Sequence, residues 1–166
     1  MGISPDQRRY LLVAHGAGAF VINFALNGAI GILAFRGVDP VPAWAAASAA
    51  GPDLVGTCLF LPAITCLIVT GIVRRHARSG QVTPLTGPLP RLLAPFRRPL
   101  ASRALLFGVA GLALVGGPLA LGLLSLGPET IALSPFLWSK AAFSALLAGL
   151  VTPLIGLVAL ADPASA

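Results

Sequence analysis

YLLVAHGAGAFVINFALNGAIGILAF, residues 10–35, runs for 26 residues without an Asp, Glu, Lys or Arg. A helix rises 1.5 Å per residue and the hydrocarbon core of a bilayer is about 30 Å thick, so about 20 apolar residues cross it. Three further runs have the same character: 53–73, about 103–126 and about 135–161. Together the four take up more than half of the 166 residues and leave no room for a soluble domain. Composition agrees. The chain is 57% hydrophobic and 10% charged, whereas a soluble domain needs about 25% charged residues to cover its surface. The expected fold is all-α, a polytopic membrane protein built as a four-transmembrane-helix bundle, with one membrane domain over 1–166.

Local signals mark the run ends. Arg8 and Arg9 before the first run resemble the start of a signal peptide, and the alanine tract Ala45–Ala50 offers small residues for cleavage. The run is far longer than the apolar region of such a peptide, so a retained helix is expected. Gly51 and Pro52 open the second run, and proline suits a first helical turn. Arg74, Arg75 and Arg78 stop it, and Ser134 is the expected N-cap of the fourth.

The charge pattern gives an orientation. Arg8, Arg9, Arg74, Arg75, Arg78, Arg91, Arg97, Arg98 and Arg103 fall on one side, and only Arg36 and Lys140 on the other. Cytoplasmic loops collect Arg and Lys, so the nine-to-two bias places both termini in the cytoplasm. It also accounts for the net charge of +6 without nucleic acid as a partner. Ten Arg to one Lys amid abundant Ala, Gly, Leu and Pro suggests a GC-rich bacterial genome, hence the bacterial inner membrane. Within the proline-rich loop 75–102, Leu92, Leu93 and Phe96 alternate with Arg91, Arg97 and Arg98. That mixture is expected to lie on the leaflet, apolar groups down and the three arginines among anionic phospholipid headgroups.

Polar groups inside a bilayer are costly, so their positions carry information. Asn23 and Asn27 are four residues apart, on one face of the first helix. An unpaired amide in lipid costs roughly 2–7 kcal/mol, so both are expected to face the bundle. There they serve as interhelical hydrogen bonds or, with Thr65, as a polar path. Asp53 opens the second helix at the level where Arg36 closes the first, so an Arg36–Asp53 ion pair is expected at the outer surface. Lys140 near the outer end of the fourth helix is expected to snorkel outward. Its i+4 neighbour Ser144 is too weak a signal for a nucleophile and base. His15 and His76 both lie toward the inner side, at different depths. Cys58 and Cys66, eight residues apart in one run, cannot form a disulfide with each other and read as buried small residues.

No catalytic, metal-binding or phosphate-binding motif is present, and no cofactor is expected. Pro62 and Pro153 are 91 residues apart, as are Gly31 and Gly122, which suggests two related helical hairpins in parallel orientation. Two roles fit these features. One is a small permease-like protein working as an oligomer, with a polar path between helices. The other is a structural, assembly or accessory subunit beside a membrane partner protein. The orientation is open to direct test: a reporter fused at Ala166 is expected to be active only in forms that work in the cytoplasm, and activity restricted to periplasmic reporters would reverse it.

Overall fold

The computed structural model describes residues 2–44, 46 and 48–162; Ala45 and Ala47 of the alanine tract and residues 163–166 lie outside them. Four helices are long and apolar enough to cross a bilayer: α1 (Pro5–Ala34), α2 (Ala50–Arg78), α3 (Leu100–Leu126) and α4 (Leu133–Leu160). The chain is an all-α, multi-pass membrane protein with the bundle that its hydropathy implies.

The helices reach past the apolar runs, and each extension has a local cause. At the start of α1, Gln7 N donates to Ser4 Oγ (3.1 Å) and Ser4 N donates to Gln7 Oε1 (2.9 Å), with Pro5 in the first turn. This capping box begins the helix five residues before Tyr10. Gln7 Nε2 also donates to the Thr83 carbonyl (3.0 Å), which ties α1 to the loop after α2. Helix α4 begins at Leu133, so Ser134 is inside the helix and is not its N-cap. Leu133 N donates instead to Asp39 Oδ1 (3.1 Å), borrowed from the first outer loop. Two stretches are wound as π-helix, Tyr10–Ala17 in α1 and Leu112–Gly116 in α3. The second lies just before Pro118, whose missing N–H frees the Leu114 carbonyl.

Helix α4 is the centre. It packs along α1 on one side and α2 on the other, and α3 packs on the far side of α2. Helices α1 and α2 hardly touch. In the most apolar stretch of each helix, 61% of α4 is buried inside the protein against 6% of α1. The packing order α1–α4–α2–α3 reads the same when the first hairpin is exchanged for the second. Similar contacts recur in its two halves. Gly16 of α1 sits against the Pro153 ring and the Gly149 carbonyl of α4, and Gly111 of α3 sits against the Pro62 ring and the Cys58 carbonyl of α2. Each carbonyl is the one its proline leaves without a helical donor. The other spaced pair is not equivalent, since Gly31 lies against Lys140 and Gly122 faces open space.

Each end of the bundle is tied. At one end, β1 (Val41–Pro42) pairs antiparallel with β2 (Thr130–Ile131), Val41 opposite Ile131. Beneath it Phe35 meets Phe136 edge-on at 4.7 Å. On the opposite face, Arg103 is 2% exposed and ties the basic loop to Asp162 after α4. It donates to the Phe96 and Arg98 carbonyls (3.1 and 3.0 Å), and it shares Asp162 with Arg74 (2.9 and 2.6 Å). The segment before α1, the basic loop and the end of α4 therefore lie on one face.

The Gly111 site predicts a selective effect. A Cβ there would strike the Cys58 carbonyl and come within 2.9 Å of the Pro62 ring, whereas one at Gly122 meets nothing within 4 Å. Gly111→Ala is expected to cost at least about 1–3 kcal/mol through overpacking and Gly122→Ala to be neutral or slightly stabilising. Thermal unfolding in detergent compares the two, and equal shifts would contradict this packing.

Candidate functional site

Two features gather the polar residues of the helices. The first is a buried ion pair. Lys140 is seven residues into α4, about 10 Å from its start, and its side chain is only 2% exposed. Its Nζ donates to Asp53 Oδ2 in the first turn of α2. The lysine stem runs along Gly31 of α1, where a Cβ would come within 3.3 Å of it. The lysine therefore does not snorkel outward, and Asp53 is taken by Lys140 rather than by Arg36, which is exposed. The physical reason is cost: a lysine this deep must find its counter-ion inside, while Arg36 at the helix end has water. Ser144 does not bond Lys140, and its buried Oγ has no partner among the described residues.

The second feature is a groove of about 550 Å³ between α1 and α2, floored by Thr152 of α4. It exists because α4 holds these two helices apart. Its α1 wall runs from Ala14 to Ile30, about 24 Å at 1.5 Å per residue and so most of the bilayer core. Asn23, Asn27 and Thr65 all line it, so the structure brings the expected polar residues to one place. Thr57, one turn from Asp53, lines it toward the Asp53 end, and His15 and His76 line it toward the opposite end. The rim is apolar and exposed, with Ile22, Leu26, Phe60, Ile64 and Ile68 between 45% and 65% open.

The bonding of the polar stripe differs from the expected interhelical pattern. Asn23 Nδ2 donates to the Ala19 carbonyl (2.9 Å), and Asn27 Nδ2 donates to the Asn23 carbonyl (3.1 Å). Thr57 Oγ1 donates to the Asp53 carbonyl (2.9 Å). Each is spent largely on its own helix. Two groups deeper in the groove are not. Thr152 is 1% exposed and His15 6% exposed, and neither Thr152 Oγ1 nor His15 Nε2 has a partner among the described residues. His15 lies over Gly156, one turn from Thr152 on α4, so the two stand at about the same depth.

Tyr10 was not singled out in the sequence, yet it joins the two histidines. Its hydroxyl is 2.8 Å from His76 Nδ1, and its ring meets His15 edge-on with centroids 4.7 Å apart. Spacing alone could have suggested half of this, since Tyr10 and His15 share one helix; the His76 contact needs the fold. No group of three or more His, Cys, Asp or Glu comes together among the described residues as metal ligands would. Cys58 and Cys66 are buried and free.

In the basic loop, Arg91, Arg97 and Arg98 are exposed, and so is Leu92, at 87%. Leu93 and Phe96 turn the other way, into the core, where Phe96 meets Phe107 at 4.2 Å. Only Leu92 of the three apolar residues is free to enter the leaflet. Comparison with protein-family models, with curated proteins and with solved structures gave no significant match.

The ion pair yields an asymmetric prediction. Asp53→Leu strands a buried ammonium and is expected to cost about 3–5 kcal/mol. Lys140→Met leaves a carboxylate that is 23% exposed and can reach solvent, so it is expected to cost less. The double variant is expected to recover much of the Asp53→Leu loss. A double-mutant cycle from unfolding in detergent measures the coupling, and simple additivity would show the pair to be energetically idle.

Proposed function

We propose that this protein is a small permease-like membrane protein whose path is the α1–α2 groove. The observation that carries the reading is the extent of the groove. It is long enough to run most of the way through a bilayer, and Asn23, Asn27, Thr57, Thr65 and Thr152 all line it. Asp53–Lys140 lies beyond its outer end and Tyr10–His76 at its inner end. The Tyr10–His76 contact joins α1 to α2 and can break and re-form without disturbing the apolar core, while Asp53–Lys140 keeps α4 tied to α2 as the inner end opens. The expectation of an oligomer rested on the thin wall that four helices make. One chain here supplies three sides of the groove, and the fourth faces lipid.

In this reading the protein sits in a bacterial inner membrane with both termini cytoplasmic. Arg91, Arg97 and Arg98 lie among anionic headgroups and Leu92 in the leaflet, which anchors the loop while the groove helices move. One observation favours the accessory alternative: only 6% of the most apolar stretch of α1 is buried within the chain, although α4 packs along one side of it. An accessory subunit would cover that face with a partner that co-purifies.

Reconstitution separates the two. In sealed vesicles, a panel of small neutral solutes and fluorescent lipids is expected to include at least one whose movement depends on the protein. Asn23→Leu is expected to slow that movement about tenfold, the equivalent of about 1.4 kcal/mol of barrier, with unfolding temperature little changed. No protein-dependent movement across the panel, or equal movement in the variant, would remove the permease reading.

A further inference from the structure

The shape and charge of the groove narrow what it accepts. A compact cavity of about 550 Å³ would be only about 10 Å across, less than half the length of this one. The occupant is therefore long. The groove's long side is open between exposed Ile22, Ile64 and Ile68, at bilayer depth, so entry is lateral and from the acyl-chain region. An occupant with a strongly polar surface all round would be expelled from that side.

Charge selects further. Among the groove residues there is no Asp, Glu, Lys or Arg, and the nearby Asp53 carboxylate is already met by Lys140. An ionic headgroup would find no counter-ion. Hydrogen bonding is available, but unevenly. Asn23 and Asn27 each donate an amide hydrogen to a carbonyl of α1, which lowers the cost of laying an apolar chain beside them without removing it. The buried lining groups with no partner among the described residues are His15 Nε2 on the α1 wall and Thr152 Oγ1 on the floor.

We infer that the groove takes one neutral, chain-bearing lipid from the bilayer, its uncharged carbonyl or hydroxyl head against His15 and Thr152 and its acyl or prenyl chain along α1 and α2. This rests on the permease-like reading, for which it names the substrate class. Two sources share this chemistry, a diacylglycerol with a hydroxyl head and a prenylated quinone with a carbonyl head.

Nanodiscs holding the full chain test it, using diazirine-bearing analogues of diacylglycerol, of a prenylated quinone and of phosphatidylglycerol, with labelled residues mapped by mass spectrometry. One of the two neutral probes is expected to label the α1–α2 lining and to show which source applies. The anionic probe is expected to label only the outer faces and the Arg91–Arg98 loop. Thr152→Val, nearly isosteric, is expected to reduce groove labelling about tenfold, as the loss of one buried hydrogen bond would. Ile64→Trp, at a half-exposed rim position that tolerates bulk, is expected to block it. Equal labelling by the anionic probe, labelling indifferent to Thr152→Val, or cross-links from the groove to a second copy of the chain would each overturn the proposal. Vesicle movement of water-soluble solutes with no groove labelling would overturn the lipid site alone. Groove labelling without any movement across vesicles would support the site and remove the permease reading.

Discussion

An ammonium group inside a lipid-embedded bundle has to be neutralised where it lies, and α4 carries the chain's one lysine at such a place. Its partner Asp53 belongs to α2, and its stem needs the bare backbone of Gly31 on α1. Three helices thus meet at one charge, and their separation follows. With α4 between them, α1 and α2 are held at the distance a lysine stem and a carboxylate require. Below that level α4 sets Gly149 and Gly156 against α1. The groove is the space this spacing leaves, and it gathers the polar residues of α1, α2 and α4 behind an apolar rim.

Hydropathy made the number of helices and their approximate extent legible, because a bilayer imposes one length on whatever crosses it. The α1–α2 polar stripe was legible for a related reason, since two asparagines a turn apart cannot both face acyl chains cheaply. The ion pair was misassigned because Arg36 and Asp53 are neighbours through a loop, and proximity along the chain was read as proximity in space. Counting acids would have corrected it. The chain has five, and of these only Asp53 lies at the depth of Lys140. The early start of α1 was also written in the sequence, as Ser4-Pro5-Asp6-Gln7, outside the apolar run that held attention. The Tyr10–His76 contact and the burial of Leu93 and Phe96 were not legible, since they depend on which helices pack together.

That packing order gives the repeated prolines a meaning the spacing could not. Helix α2 takes its glycine contact from the second hairpin, and α4 takes its own from the first. The two hairpins are interleaved, so the proline-freed carbonyl of each is covered by a helix of the other. A duplicated hairpin would arrive at such an arrangement by exchanging partners between copies. The later divergence would be the Asp53–Lys140 charge and the open surroundings of Gly122, where the halves no longer match.

Interleaving has a consequence for how the protein is made. A ribosome delivers α1 first and α4 last, about a hundred residues later, and α1 finds its neighbour only in α4. For the whole interval α1 stands in the bilayer with its amides bonded back on its own turn. Helix α2 meanwhile holds an unanswered carboxylate. The nascent molecule is a set of independent spans, and release of the final segment converts them into one body. Fidelity therefore depends on the C-terminal end, and a chain interrupted before residue 133 would be inserted yet unassembled, a form recognisable to membrane proteases.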